Sequence, residues 1–87
     1  MRSTQKAMDE QLWQRISINP TVMVGKPVIR GTRIPVERIV RMLAQGISEN
    51  DILREYPRLQ PEDIRAALAY AAEVLAEEDI LPLEISA

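Results

Sequence analysis

The chain has 87 residues, 46% apolar and 28% charged, a size and balance that suit one small core and exclude a second domain. It contains no Cys and no His, which excludes disulfides, thiolate or imidazole metal sites and His-based acid–base catalysis. The formal net charge of −2 conceals eight Lys/Arg against three Asp/Glu in residues 1–46 and three against ten in residues 47–87, an asymmetry that points to charged partner surfaces.

Residues 1–14 read as a flexible N-terminal arm. They lack the apolar stretch of a secretory signal, and no run in the chain approaches the roughly 18 apolar residues of a membrane span, so a cytoplasmic protein is expected. A single domain is expected over residues 15–79. At its start the spacing of Leu12, Trp13 and Ile16 fits one amphipathic helical turn, but Ile16-Ser17-Ile18 alternates as a short half-buried strand, and the strand is the favoured reading. Asn19-Pro20 stops it. Further on, Pro27 and Pro35 forbid a continuous helix. Val28–Arg30 and Arg33-Ile34 flank Gly31-Thr32, which predicts a tight basic hairpin with Gly31 leading a type II′ turn.

Three helices follow. Pro35 suits a first helical turn, and Val36, Ile39, Val40 and Leu43 recur at i, i+3, i+4 and i+7 until Gly46. Ser48-Glu49-Asn50-Asp51 resembles a capping box and opens a short helix bearing Ile52, Leu53 and Tyr56, closed by Pro57. Pro61-Glu62-Asp63 opens the third helix, which runs to about residue 79. Ile64, Leu68, Ala71 and Leu75 make one stripe on it and Ala67, Tyr70 and Val74 another. A helix apolar on nearly every side must bury both faces, so Leu68, Ala71, Ala72 and Leu75 are the expected homodimer interface. The alternative is that alanine is there only as a good helix former. Residues 80–87 read as an extended C-terminal tail suited to an edge or a partner. The fold class is therefore mainly α: a short N-terminal β element or hairpin followed by a three-helix, helix-turn-helix-like bundle.

The ordered run Ile18-Asn19-Pro20, then Gly25-Lys26-Pro27-Val28-Ile29-Arg30-Gly31-Thr32-Arg33-Ile34-Pro35-Val36, resembles the signature of a small bacterial family. It is the domain-of-unknown-function family numbered four hundred and thirty-three. The likeness continues through Gly46-Ile47-Ser48, Asp51-Ile52, Tyr56-Pro57, Leu59, Pro61-Glu62-Asp63-Ile64, Ala67-Leu68 and Tyr70-Ala71. The resemblance implies a homeodomain-like arrangement of the helices. It also implies a role as a VapB-type antitoxin of a type II toxin–antitoxin pair, with a PIN-like nuclease toxin as partner. It supplies no catalytic residues. Gln60 departs from the expected Ser, Thr or Asp cap, a change worth about 1 kcal/mol at the helix start.

Lys26, Arg30, Arg33, Arg38 and Arg41 are the candidate partner-binding residues, for toxin or for operator DNA. If Gly31-Thr32 is a hairpin tip, Arg30 and Arg33 flank it as paired planar forks suited to carboxylates or phosphates. The competing reading pairs these arginines with the acidic second half of the same chain or of its dimer mate. A recognition-helix role for the third helix is disfavoured, because Glu49, Asp51, Glu55, Glu62 and Asp63 outnumber Arg58 and Arg65 where phosphates would approach. Glu77-Glu78-Asp79 reads as a solvated face rather than a metal site. Gly25 and Gly31 are too far apart for a phosphate loop. The expected function is thus non-catalytic: an antitoxin that masks a PIN-like nuclease and possesses no cofactor, with a stand-alone helix-turn-helix-like DNA-binding regulator as the alternative.

Overall fold

A computed structural model describes residues 10–21 and 25–77. Residues 1–9 of the expected arm, residues 78–79 and the expected tail at 80–87 lie outside this range.

The described chain begins with one turn of helix at residues 10–13. Leu12 packs against the core, and Trp13 meets the Tyr70 ring edge-on with centroids 5.3 Å apart and planes at 77°, an arrangement aromatic pairs favour. The expected arm therefore gives way to folded structure by residue 10, because the helical spacing of Leu12 and Trp13 places both inward. Strand β1 (Ile16–Ser17) follows and pairs antiparallel with β2 (Val28–Ile29), Ile16 opposite Ile29 and Ser17 opposite Val28. Strand and helical turn both occur, one after the other.

The tight turn after β2 forms, but its centre is Arg30-Gly31 rather than Gly31-Thr32. Thr32 N–H donates to the Ile29 carbonyl at 2.9 Å, and Gly31, third of the four turn residues, adopts φ +83°. That is the position at which a type II turn requires positive φ, not the leading position of type II′. The Thr32 hydroxyl donates to the Ile29 carbonyl at 2.7 Å and accepts from Ile34 N–H at 3.0 Å. Ile29 N–H donates to the Ile34 carbonyl, and Val28 bridges to Pro35. Val36 N–H donates to the Pro27 carbonyl at 3.0 Å beyond that bridge, and the returning limb ends there, because Pro27 has no N–H to return the bond and Val36 already begins a helix.

Helix α1 (Val36–Ala44) starts one residue after the expected proline: Pro35 remains extended, at φ −68° and ψ 142°, as the N-cap. Gly46 at φ +88° ends it. Gly46 N–H donates to Leu43 and Ile47 N–H to Met42, both at 3.0 Å, the paired bonds of a Schellman motif. Helix α2 (Glu49–Glu55) is capped by Ser48, whose hydroxyl accepts from Asp51 N–H at 3.1 Å. Helix α3 (Pro61–Glu77) lacks a conventional cap at Gln60. Its start is secured from within instead, since Asp63 Oδ2 accepts from Gln60 N–H at 2.8 Å, one half of a capping box.

Helix α3 packs on α1 and α2. The core is aliphatic, with Ile29, Ile39, Ile52 and Ile64 fully enclosed. Ala66 and Ala67 are also buried, and their small side chains let neighbouring backbones approach. Asp63 is the polar residue buried within this core, 5% exposed. It pairs with Arg15 Nη1 at 2.9 Å, tying the entry to β1 to the first turn of α3.

Candidate functional site

The five expected partner-binding cations do not form one patch; the fold sends them to three places. Arg30 turns back on its own chain. Its Nε donates to the Gln14 carbonyl at 2.6 Å and its Nη2 to the Ile16 carbonyl at 2.9 Å. The fork expected to grip a partner thus satisfies backbone acceptors at the start of β1, and Arg30 and Arg33 are not paired across a hairpin tip. The cause is the shifted turn: with Arg30 a central residue of it, the side chain lies over β1. The pairing of Arg30 with Arg33 is thus corrected, and two of the Arg30 donors are engaged within the scaffold.

Lys26 and Arg41 converge on Glu37. Lys26 Nζ lies 3.9 Å from one Glu37 carboxylate oxygen, and Arg41 bonds the other from one helical turn away. The Arg41 hydrogen bond and its charge, with Lys26 adding to them, hold the Glu37 carboxyl below the usual carboxylate range. All three side chains are exposed. Glu37 and Arg41 edge a groove of about 450 Å³ between α1 and the second half of α3. Pro27, Val36, Val40 and Ala44 form one wall, and Tyr70, Ala71, Val74 and Leu75 form the other.

Of the expected dimer residues, Ala71 and Leu75 line this groove, whereas Leu68 and Ala72 are exposed beside it. Leu68 is 45% and Leu75 58% exposed. Within one chain α3 therefore buries only the face carrying Ile64, Ala66 and Ala67, and its second half leaves large apolar side chains uncovered.

Arg33 and Arg38 form the third group, together with Tyr56, which sequence reasoning had treated only as core. These three residues, with Ile34 and Pro35, line a small pocket of about 140 Å³. Arg38 Nη1 donates to the Tyr56 hydroxyl at 3.4 Å. That bond, and the phenol's electrostatic influence, raise the Arg38 guanidinium above its ordinary value, with Glu37 and Glu55 adding smaller effects. Arg38 lies about 200° round the helix from Val36 and Val40, so the pocket and the groove occupy different flanks of α1. The signal for Tyr56 was present in the sequence, since a tyrosine at the end of a short amphipathic helix commonly buries its ring and keeps its hydroxyl at the surface.

Two of the remaining acids of α2 and α3 make local pairs. Arg54 meets Asp51 at 3.2 Å and Arg65 meets Glu62 at 3.8 Å. Glu77 is exposed at the end of α3. No group of three or more potential metal-ligating side chains occurs among the described residues, and no helix among them is long and apolar enough to cross a membrane.

A family model described as "Protein of unknown function (DUF433)" matches residues 16–71. The uncharacterized protein y4eO of Sinorhizobium fredii is 36% identical over 73 residues, which make up 82% of this chain and 33% of that protein. The chain thus spans about a third of that relative's length. An uncharacterized protein of Archaeoglobus fulgidus is 59% identical over 29 residues, 33% of this chain and 81% of that one. The crystal structure of a member of the same family from Anabaena variabilis is similar with a TM-score of 0.69 at 33% identity, covering 86% of this chain and 74% of that one.

Proposed function

The chain belongs to the DUF433 family, and from that premise we propose that it is a non-catalytic binding module of the antitoxin kind, which masks a PIN-like nuclease. The observation that carries this reading is the apolar groove between α1 and α3. Val74 and Leu75 are exposed along it, and the Glu37–Arg41 pair stands at its edge. An apolar centre with a charged margin is the anatomy of a protein–protein interface. Arg41 there, backed by Lys26 and only partly offset by Glu37, suits a partner whose catalytic cluster is acidic, because complementary charge speeds encounter and fixes orientation. The absence of His and Cys from the sequence fits a module that binds rather than reacts.

The test is inhibition of a PIN-like nuclease, sought in the gene adjoining this one. Val74→Asp and Leu75→Asp should each weaken inhibition by about tenfold to a hundredfold, as burial of an unpaired carboxylate demands, while Leu75→Met leaves it within about twofold. Unchanged inhibition by both aspartate variants would overturn the reading.

The succession of α2, turn and α3 favours a second reading, a stand-alone DNA-binding regulator, because this is the layout of a helix-turn-helix. Its ordinary docking mode is opposed by Asp63. The first turn of α3 would have to enter the major groove, yet Asp63 is buried there against Arg15. DNA contacts would fall on Arg33, Arg38 and Arg41 instead, and replacing any one of them should flatten the salt dependence of binding by about one unit.

A further inference from the structure

We infer that the pocket bounded by Arg33, Ile34, Pro35, Arg38 and Tyr56 is a binding site for a single carboxylate carried on an aliphatic stem. Its polar lining residues are Arg33, Arg38 and Tyr56, and no acidic residue lines it among the described residues. Arg38 spends one N–H on the Tyr56 oxygen, which leaves the rest of its fork available and the phenolic hydrogen free to donate. Arg33 makes no side-chain hydrogen bond or ion pair among the described residues. Two arginines and a tyrosine bordering one small volume supply the donors a carboxylate accepts, which takes bidentate bonds from arginine.

The remaining walls decide between anions. Ile34 and Pro35 are apolar, and they suit the methylene or methyl group behind a carboxylate, a feature inorganic phosphate lacks. At about 140 Å³ the space accepts a projecting side chain or a small acid. A nucleic-acid strand carries a charge every 3.4 Å or so, and its next phosphates would meet Glu37 and Glu55, the two carboxylates that act on Arg38 from outside the pocket. One isolated carboxylate avoids them. The site lies on a different flank of α1 from the apolar groove, so the inference stands whether or not the groove holds a nuclease.

The experiment follows the Arg Nε–Hε and Tyr56 ring signals of the whole chain by NMR during titration with sodium acetate, with an end-blocked peptide bearing one glutamate, with inorganic phosphate, and with a short DNA duplex. Acetate should shift the Arg33, Arg38 and Tyr56 signals saturably in the millimolar range, as a ligand of so few atoms allows. Arg33→Gln and Arg38→Gln should each weaken that binding about tenfold or more, with circular dichroism unchanged because both side chains are exposed. Arg65→Gln should leave it as it was. A glutamate peptide that binds tighter than acetate assigns the site to a protein side chain, and equal or weaker binding assigns it to free small acids. Shifts that stay linear in acetate, or persist in Arg33→Gln, would overturn the inference. So would phosphate or duplex DNA displacing acetate at lower concentration than the peptide does.

Discussion

Asp63 illustrates how a buried carboxylate is kept fully hydrogen-bonded. Its two oxygens have separate employers: Oδ1 takes the Arg15 guanidinium and Oδ2 takes the Gln60 amide that the helix start would otherwise leave unsatisfied. Asp63→Ala should cost about 2–4 kcal/mol in chemical denaturation, combining a lost cap with a lost charge-assisted bond, the upper end discounted because Arg15 is partly exposed. Asp63→Asn keeps an acceptor for Gln60 and should lose less. Arg30 offers a contrast, since its charge faces water and its worth lies in two directed bonds. Arg30→Ala should destabilise by about 1–2 kcal/mol, and Arg30→Lys should recover only part, because an ammonium cannot span both carbonyls. Glu37 adds a small pH dependence. Its carboxyl is lowered by Arg41 first and Lys26 next, so the folded chain releases that proton more readily than the unfolded one. The resulting stabilisation is complete above the usual carboxylate range and disappears as pH falls through the lowered value. Glu37→Gln should therefore melt slightly below the parent at neutral pH and together with it in strong acid; a gap that widens in acid would contradict the sign.

Among the elements, the turn at Ile29–Thr32 gives the most local test. Gly31 sits at φ +83°, and a methyl group added there would meet nothing within 4 Å. Backbone strain alone should then set the cost of Gly31→Ala, about 1–2 kcal/mol, with Gly31→Asn cheaper; a larger loss measured by thermal unfolding would mean that space matters too. The same turn shows where sequence reading succeeds and where it stops. All three helices were legible, because Val36, Ile39, Val40 and Leu43 repeat at helical spacing, Ser48 caps, Gly46 terminates and Pro61 starts. A turn around Gly31 was legible for the same reason: glycine advertises positive φ. Which residue the glycine follows was not, since Gly31 can lead a type II′ turn or occupy the third position of type II equally well, and pairing with β1 decides. That choice moved Arg30 from a predicted partner surface to the backbone of Gln14 and Ile16. The partners of Tyr56 and Arg15 were not legible, because they lie 18 and 48 residues away and no local pattern encodes such contacts.

At the scale of the whole molecule, the second half of α3 is the surface left exposed among the described residues. If a second copy covers Leu68, Ala71, Ala72 and Leu75, Ala72→Glu should convert a sedimenting dimer to a monomer with its helical content intact, because a buried unpaired carboxylate costs several kcal/mol. A parent chain that is monomeric at high micromolar concentration would remove the homodimer from consideration and leave the face to a different partner. The Arg15–Asp63 bond has a further consequence, in time rather than in space. Helices α1, α2 and α3 are consecutive and joined by short turns, so their mutual contacts close small loops quickly. Residues 10–17 can dock only after both β2 and the first turn of α3 exist, because Arg30 and Asp63 are what hold them. Their ordering should therefore come last on the way in and first on the way out. In stopped-flow measurements Ile39→Ala should slow refolding, whereas Arg15→Ala and Trp13→Ala should chiefly hasten unfolding. Hydrogen exchange should report the same hierarchy at equilibrium, with the amides of residues 10–17 opening at a lower free energy than those of α1.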